Sequence, residues 1–425
     1  MNPISTNRDS YIIAGLDIGS KTIKCVIGEI INNEKNIKLL GISEIESAGI
    51  KKGVLTNRDE LIDKIEQVIN NTELMANTKV TSLVLSITGE HIKCINTQSA
   101  ISLNHINSIS NGTKERIINN SDILQVLNSS QSISLPIDRD ILHTIPQEYS
   151  VDTLEEIKNP IGMTGRRLES KVHLVTAATT AMNNIVSCVE ELGLNVNSLV
   201  FQPLASALAT LEKDEMELGI TLVELGYTTT NIAVYHKGSI RHSAIIPIGS
   251  RSITNDIAVM LQIGLEDAEK IKIKYASAQA SMSSSKLNID IPNIAGQIER
   301  SISENEISKY VEARMQEIFQ MVLQEISRAD VKDPLTYGIV VTGGGALLRN
   351  LVPFLENSLG IKVRLGKSIK IDGAKDIADG PSYTTSMGLL LWSIYATDFS
   401  HIQKNQNKGF SGIIRKIRHT IENMF

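Results

Sequence analysis

Two strand-turn-strand segments of the chain carry residue types that proteins use to bind phosphate. When residues 14–27 are placed over residues 221–234, an acid, a glycine and a threonine coincide: Asp17 with Glu224, Gly19 with Gly226, and Thr22 with Thr229. A tight turn presents backbone N–H groups and a hydroxyl to phosphate oxygens, and a carboxylate at the strand end can hold Mg²⁺ through water. Two matched turns half a chain apart predict a phosphate clamp to which Lys21 adds a positive charge. The alternative is two ordinary hairpins with a surface lysine.

A third glycine-rich segment lies near the end of the chain. YGIVVTGGGALLRNLVPFLENSLG predicts a buried strand, a turn at Gly343, Gly344 and Gly345, and an amphipathic helix from about Ala346. Glycine lets the backbone lie against a ligand, and a helix N-terminus favours anions. The spacing differs from the GxGxxG of a dinucleotide site. Three glycines before a helix also occur as a plain turn, so this segment is weak evidence alone.

Strands and helices must hold these turns, and the chain is long enough to form two lobes. At 425 residues it exceeds the size of one compact core, and its apolar fraction of 42 % is typical of a globular protein. Apolar spacing predicts helices over 57–75 and 303–329 and a helical block over 251–275. A stretch rich in Ser, Asn and Ile interrupts this pattern and predicts an inserted subdomain at 80–177.

Composition and charge argue against several classes of protein. A net charge of -5 without a basic stripe gives no reason to expect nucleic-acid binding. Cys25, Cys94 and Cys188 lie far apart without metal-ligand spacing, which favours a reducing cytosol over a disulfide framework or a zinc cluster. We expect no signal peptide, and no apolar run approaches the ~18 residues of a membrane-spanning helix.

The last residues of the chain predict a helix that lies on a membrane surface. Residues 398–408 are polar and typical of a flexible linker, and residues 409–425 place an apolar stripe opposite a basic face. Such a helix binds along an anionic lipid interface, although packing on the protein's own body is the alternative. The expected membrane-binding residues are Phe410, Ile413, Ile414, Arg415, Lys416, Ile417, Arg418, Ile421 and Phe425.

The three glycine-containing elements, in this order, are similar to the nucleotide site of the actin-like ATPase superfamily. The whole chain resembles its FtsA family of bacterial cell-division proteins. Four more segments carry this resemblance: SAGIKKG at 47–53, HTIPQEY at 143–149, NPIGMTG at 159–165 and IRHSAIIPIGS at 240–250. The resemblance implies an α/β, actin-like two-lobed fold of duplicated ribonuclease H-like domains, with an inserted family-specific subdomain and a C-terminal amphipathic helix.

The resemblance also implies where the parts of the chain lie. The first lobe would consist of residues 1–79 and 178–210 with part of 380–397, and the insert would be residues 80–177. The second lobe would be residues 211–379 and would include the FtsZ-docking subdomain at about 253–330. Residues 398–408 would be the linker, and residues 409–425 the membrane-targeting helix. The insert would contact neighbouring subunits and later division proteins.

By this resemblance the chain is an ATP-binding, Mg²⁺-dependent scaffold. It would polymerise at the inner face of the cytoplasmic membrane, at the division septum, and bind the C-terminal tail of FtsZ, with Arg300 a candidate contact. A solvated helix face is the alternative for Glu269 and Lys272. Asp17 and Glu224 are the candidate metal ligands, and the candidate nucleotide-binding residues are Asp17, Gly19, Ser20, Lys21, Thr22, Gly226, Thr228, Thr229, Glu269, Lys272, Gly343, Gly344 and Gly345.

The second turn departs from the family pattern D-x-G-G-G-T. Glu224 replaces the aspartate, Tyr227 and Thr228 replace two glycines, and Asn231 replaces a later aspartate. The longer acid would move a bound metal or water, and two added Cβ atoms crowd the backbone that approaches the terminal phosphate. Hydrolysis requires a water held in near-attack geometry. We therefore expect ATP binding with weak or absent turnover, Glu224 being the candidate catalytic carboxylate.

Two other functions stay open at this point. A sugar or acetate kinase of the same superfamily needs a catalytic carboxylate and a substrate pocket in the cleft between the lobes, and the sequence places neither. Another actin-like filament or pilus-assembly scaffold would account for the nucleotide motifs, but not for HTIPQEY and NPIGMTG.

Overall fold

The first elements of the chain supply most strands of the first-lobe sheet. The computed structural model describes residues 10–31, 37–103, 116–292, 298–368, 371–372 and 378–400. The first elements are β1 (Ser10–Ile18), β2 (Thr22–Ile31), β3 (Ile37–Glu46), β4 (Ile50–Lys51), β5 (Val54–Leu55), α1 (Arg58–Ala76) and β6 (Ser82–Ile87).

A separate small domain follows β6 before the chain returns to the first lobe. Its elements are β7 (Lys93–Ser102), β8 (Arg116–Ile117), α2 (Asn120–Ser130), β9 (Arg139–Val151), β10 (Leu154–Ile157), β11 (Thr164–Gly165) and β12 (Arg167–Ala178). Apolar residues of α2 pack on a four-stranded sheet of order β10-β9-β12-β7 and form a core of their own. The first lobe resumes with α3 (Thr179–Glu191), β13 (Asn195–Phe201) and α4 (Gln202–Thr210).

The second lobe follows α4, and the last elements cross back to the first lobe. They are α5 (Lys213–Leu218), β14 (Ile220–Leu225), β15 (Thr230–His236), β16 (Ser239–Ile246), α6 (Arg251–Leu261), α7 (Leu265–Tyr275), β17 (Asn288–Pro292), β18 (Ile298–Ser303), α8 (Glu304–Ser327), β19 (Ile339–Thr342), α9 (Leu351–Leu359), β20 (Val363–Leu365), β21 (Ile371–Asp372) and α10 (Thr384–Ser400).

The same sheet topology occurs twice. The first-lobe sheet has the order β13-β6-β1-β2-β3-β21, and the second-lobe sheet has the order β16-β15-β14-β19-β20. In each lobe a three-stranded antiparallel meander is extended, on the side of its first strand, by two parallel strands. The duplicated, actin-like α/β fold that the resemblance implies is therefore confirmed.

Two helices between the sheets bring polar side chains to the boundary between the lobes. α4 and α10 cross closely at Gly388, where an added Cβ would lie 1.8 Å from the carbonyl oxygen of Ala205. Only glycine allows this approach. The crossing places Ser206 of α4 and Thr385 of α10 in hydrogen-bonding contact, 2.9 Å apart.

The predicted helices form with the caps that the sequence indicates. Asn57 caps α1 and Ser303 caps α8, each accepting a backbone N–H of the first turn. The helix predicted from Ala346 was wrong in its start: a 3₁₀ turn spans Gly344–Leu347, and α9 begins at Leu351. Pro353 explains the delay, because proline is tolerated in a first turn but breaks the hydrogen bonding of a helix interior.

The terminal segment was predicted as a linker and a membrane helix. α10 continues to Ser400, three residues into the predicted linker at 398–408. The rest of that linker and the whole of 409–425 lie outside the described residues, so the membrane-binding residues stay a prediction. Among the described helices, none has the length and apolar character needed to cross a membrane.

Candidate functional site

The two predicted turns are closed by equivalent hydrogen bonds and face one cleft. In the first turn the N–H of Gly19 donates to the carbonyl of Thr22 at 3.0 Å, and in the second the N–H of Gly226 donates to Thr229 at 2.9 Å. A Cβ added to either glycine would lie 2.8 Å from the oxygen that accepts this bond. Both turns line a cleft of about 600 Å³ between the lobes.

Every residue predicted for the nucleotide site lines this cleft. The shared lining residues are Asp17, Gly19, Ser20, Lys21, Thr22, Glu224, Gly226, Thr228, Thr229, Glu269, Lys272, Gly343, Gly344 and Gly345. Gly343 has a φ of 86° and lies against the carbonyl of Leu225, so its conformation needs glycine. The space where a Cβ of Gly344 would stand is open.

The two turns also touch each other across the lobe boundary. The Thr228 hydroxyl donates to the Ser20 hydroxyl at 2.8 Å. Lys21 of the first turn pairs with Glu269 of α7, and the same carboxylate accepts from Lys272 at 2.7 Å and from Thr254. One acid thus connects the lysines of both lobes.

Pairing and burial shift the acid–base equilibria of these groups. Burial alone would raise the pKa of Glu269, but hydrogen bonds from Lys21, Lys272 and Thr254 hold it below its ordinary value. Lys272 is only 8 % exposed, and burial lowers its pKa despite the pairing with Glu269. The solvated-face alternative for Lys272 was therefore wrong.

The two strand-end acids are buried but have different hydrogen-bond partners. Asp17 accepts through Oδ1 from Ser86 and Gln202, both at 2.7 Å. Glu224 accepts through Oε1 from Ser206 at 3.1 Å and from Thr385, and through Oε2 from Asn231 at 2.9 Å. Both oxygens of Glu224 are thus occupied by protein donors.

The environment of Glu224 disfavours its charge. Burial raises the pKa of Glu224 above its ordinary value, although the bonds from Thr385 and Asn231 act in the opposite direction. The nearby charge of Asp17 adds to the increase. Glu224 therefore lies in a site that penalises its ionised form.

An amide relay joins the two acids across the lobe boundary. The Thr88 hydroxyl donates to Asn231 Oδ1 at 2.9 Å, which fixes the Asn231 amide. Its Nδ2 then donates to Glu224 and, at 3.3 Å, to Gln202 Oε1. Gln202 Nε2 completes the relay at Asp17. Because each amide has one accepting and one donating end, every orientation in the relay follows from the one before it.

Relatives of known type agree with this architecture. A family model for "Cell division protein FtsA" matches residues 221–388, and one for the "SHS2 domain inserted in FTSA" matches residues 89–176. The cell division protein FtsA of Pseudomonas aeruginosa is 36% identical over 387 residues, covering 91% of this chain and 90% of its own. That of Neisseria meningitidis is 34% identical and covers 97% and 98%; that of Escherichia coli K12 is 32% identical and covers 90% of both chains.

The chain belongs to the FtsA family of cell-division proteins.

Solved structures show that this FtsA-family chain has an actin-like fold. The PilM-PilN type IV pilus biogenesis complex aligns with a TM-score of 0.63 at 16% identity, over 89% of this chain and 97% of that one. MreB5 of Spiroplasma citri bound to ADP aligns with a TM-score of 0.54 at 14% identity, over 93% and 99%. At these identities the likeness concerns the fold alone.

The family motif HTIPQEY links the inserted domain to both lobes. His143 Nε2 accepts the backbone N–H of Phe201 at 2.9 Å, where α4 begins, and its ring lies 5.4 Å from that of Trp392. Burial, with a smaller contribution from His173, lowers the pKa of His143 to about 3, so its ring is neutral. The motif therefore anchors the helix that carries Gln202.

The other end of this motif meets the segment IRHS of the second lobe. Gln147 Nε2 donates to the carbonyl of Ile240 at 2.8 Å, and Glu148 pairs with Arg241 at 3.0 Å. His173 bridges the domains as well, since its Nε2 lies 2.8 Å from the Ser243 hydroxyl. We call this polar contact between the insert and β16 the insert seam.

The motif SAGIKKG supports the first turn from behind. The N–H of Ser47 donates to the carbonyl of Lys21 at 2.9 Å. Gly53, with a φ of 76°, lies so close to the loop after β6 that a Cβ would stand 1.9 Å from the Thr88 carbonyl oxygen. The SAGIKKG segment therefore contacts both the first turn and Thr88, the residue with which the amide relay begins.

Sequence reasoning missed Gln202 and Thr88 as site residues. Both directly follow buried parallel strands, β13 and β6, and the carboxyl end of a strand is where such sheets place functional side chains. That position was the available signal. Arg300, predicted as a partner contact, is exposed on β18 and donates to the carbonyl of Leu261.

Proposed function

We propose that the chain binds ATP in the cleft between its lobes and uses it to control assembly rather than for rapid turnover. The observation that carries the proposal is the convergence of two matched turns, from opposite lobes, on one cleft with Lys21 and the glycine turn. About 600 Å³ lies within the usual range for a small-ligand site. Turn N–H groups and Lys21 would bind the phosphates, and the open face of Gly344 would admit the nucleoside.

The residues present fit a magnesium ion beside the phosphates. Asp17 engages Ser86 and Gln202 through Oδ1 alone, which leaves Oδ2 for a cation or its water shell. Glu224 has no such free oxygen, since both of its oxygens accept bonds from the protein. We therefore assign Asp17, rather than Glu224, as the residue that would bind Mg²⁺ or its water shell. A cation at this position would offset the negative charge of the phosphates.

The same difference supports slow turnover. Asn231, Ser206 and Thr385 hold Glu224 in place and occupy both of its oxygens, so Glu224 is poorly placed to orient or deprotonate a water. Bound nucleotide would instead bridge the lobes and bias them towards the closed state. Closure would change the surface that one subunit presents to the next. Subunits would then make more favourable contacts in the closed state than in the open state, so nucleotide binding would favour polymerisation.

The rest of the proposal concerns what the assembly binds. Self-association at the inner face of the cytoplasmic membrane, anchored by 409–425, would tether the FtsZ ring through the C-terminal tail of FtsZ. The region 253–330 would bind that tail, and the insert would take part in subunit contacts and in recruiting later division proteins. Family membership supports this part.

Nucleotide binding is tested by thermal shift and by phosphate release. With excess ATP and Mg²⁺ the melting temperature is expected to rise, because a ligand at 100 times its Kd adds about 2.7 kcal/mol to the unfolding free energy. Lys21→Ala should abolish the rise, and the matched control Lys270→Ala, an exposed lysine outside the cleft, should preserve it. No shift in the parent protein, or turnover above about one per second, would contradict the proposal.

Tethering is tested with two binding assays. Full-length protein should float with anionic liposomes and bring down an FtsZ-tail peptide, while a chain lacking 409–425 should bind the peptide but stay in solution. ATP-dependent phosphorylation of a sugar or acetate by either protein would favour a kinase instead.

A further inference from the structure

We infer that Tyr227 is a positioning residue for the terminal phosphate: its ring collects the cations of both lobes into one cluster that selects a triphosphate over a diphosphate. The inference rests on the proposed nucleotide binding. The sequence alone indicates only a steric effect of Tyr227 in the second turn, and this inference gives the residue a binding role.

Three cationic groups surround the Tyr227 ring. The Lys21 Nζ lies 5.2 Å from the ring centroid, the Lys272 Nζ 5.6 Å and the Arg251 guanidinium carbon 5.8 Å. All three distances are within the ~6 Å at which an aromatic face attracts a cation. Lys21 comes from the first lobe and the other two from the second, so the ring is a contact shared across the cleft.

The two turns pair in a reciprocal way that explains this placement. Tyr227 follows Gly226 as Ser20 follows Gly19, so Tyr227 and Ser20 are equivalent, and Thr228 is equivalent to Lys21. Ser20 touches Thr228, and Tyr227 touches Lys21. Each contact is therefore the counterpart of the other under exchange of the lobes, as in a two-fold symmetric interface. A glycine at position 227 would remove the aromatic ring that Lys21 contacts.

The ring is held by a fixed backbone. The N–H of Arg251 donates to the Tyr227 carbonyl at 2.8 Å. A Cβ on Gly249 would lie 2.7 Å from the Tyr227 carbonyl carbon, so the start of α6 packs directly on the turn. Tyr227 thus presents a preorganised surface, whereas Lys21 has a long flexible side chain that is 38% exposed. Contact with a rigid ring reduces the entropy that Lys21 loses when it binds an anion.

The cluster carries excess positive charge. Lys21, Lys272 and Arg251 supply three positive charges, and Glu269 supplies one negative charge that pairs with both lysines. Within the part of the chain that the structure describes, Arg251 has no ion-pair partner. The terminal phosphate of a nucleoside triphosphate would offset this excess positive charge. A nucleoside diphosphate lacks that phosphate and carries less negative charge. The ring therefore bears on affinity for ATP more than for ADP.

The test compares binding of a non-hydrolysable ATP analogue and of ADP by calorimetry, with Mg²⁺, for the full chain and its variants. Tyr227→Leu should weaken binding of the triphosphate about five- to thirty-fold and of ADP less than threefold. Tyr227→Phe, which keeps the ring and loses the hydroxyl, should stay within twofold of the parent for both. A role confined to folding would not move the ratio of the two affinities.

If Tyr227→Leu lowers the affinities for the triphosphate and for ADP by the same factor, so that their ratio is unchanged, the inference is overturned. If the leucine variant does not fold, Arg251→Gln provides the test, because it keeps the ring and should lower triphosphate affinity by about fivefold while sparing ADP. A parent protein that binds neither nucleotide refutes the proposed function itself, and a parent that binds both with an unchanged ratio in the variants refutes only the role of Tyr227.

Discussion

The substitution Asn231→Asp tests the amide relay and the buried acid together. Asn231 donates to Glu224 at 2.9 Å and to Gln202 at 3.3 Å, and it accepts from Thr88. An aspartate of the same shape keeps the bond from Thr88 but loses both donors. It also places a second carboxylate against Glu224, in a site that is nearly closed to water.

The expected cost follows from the distance and the burial. Two unit charges 3 Å apart repel by about 5 kcal/mol at an effective dielectric of 20. The pair avoids most of this by retaining one proton, which costs about 1.4 kcal/mol for each pH unit above the unfolded-state pKa of the carboxyl, until the pH reaches the raised pKa of the folded pair. The folded-state pKa is then raised above the unfolded value. The variant is least destabilised near pH 5, and the loss grows as the pH rises through the raised pKa.

Melting temperatures at pH 5.5 and pH 8 provide the assay, with Asn231→Ala as the matched control. The alanine variant loses the same two donor bonds without adding a charge, at a cost of about 1–3 kcal/mol. At pH 8 the aspartate variant should melt at least about 4–8 °C below the alanine variant, corresponding to ~2 kcal/mol or more, and the gap should narrow clearly at pH 5.5. A gap independent of pH, or an aspartate variant as stable as the parent at pH 8, would refute the reasoning.

Three further predictions concern the glycine turn and the insert seam. Gly343→Ala should destabilise the fold by more than about 1 kcal/mol, because it forces a Cβ to 2.6 Å from the Leu225 carbonyl oxygen at positive φ; denaturant unfolding measures this. Arg241→Ala should cost about 1–3 kcal/mol at pH 7 by leaving the pair with Glu148 broken, as measured by thermal denaturation. The buried, neutral His173 should make the parent lose stability as the pH falls below about 6.5, and His173→Gln should flatten that slope.

Each of these has a control or a pH signature. Gly344→Ala meets open space and should fold normally but weaken nucleotide binding, so equal stability of the two alanine variants would contradict the first prediction. Burial would raise the pKa of Glu148, but hydrogen bonds from Lys171 and Arg241 lower it below its ordinary value. The cost of Arg241→Ala should therefore shrink as the pH falls through the lowered pKa of Glu148. The pKa of His173 is lowered to about 3 by burial, and an identical slope in His173→Gln would contradict the third prediction.

Local signals allowed the turns and the capped helices to be predicted. Gly19 and Gly226 mark turns closed by bonds to residues three positions away, and Asn57 and Ser303 cap helices through equally short links. Such features depend on neighbours within one helical turn, so residue type and spacing are sufficient. Even here Pro353 moved the start of α9, because a single residue can override an apolar pattern.

The sequence by itself determined that the chain contains two matched strand-turn-strand segments, a glycine turn and an insert and, through its resemblance to FtsA proteins, its fold family. Only the tertiary structure decided that Glu224 is fully engaged while Asp17 keeps a free oxygen, and that Tyr227 gathers cations from both lobes. Lys21 and Glu269 are 248 positions apart, and Gln202 and Asp17 are 185. Contacts at such separations depend on sheet order and on how the lobes pack, because side chains distant in sequence meet only after the whole backbone has folded.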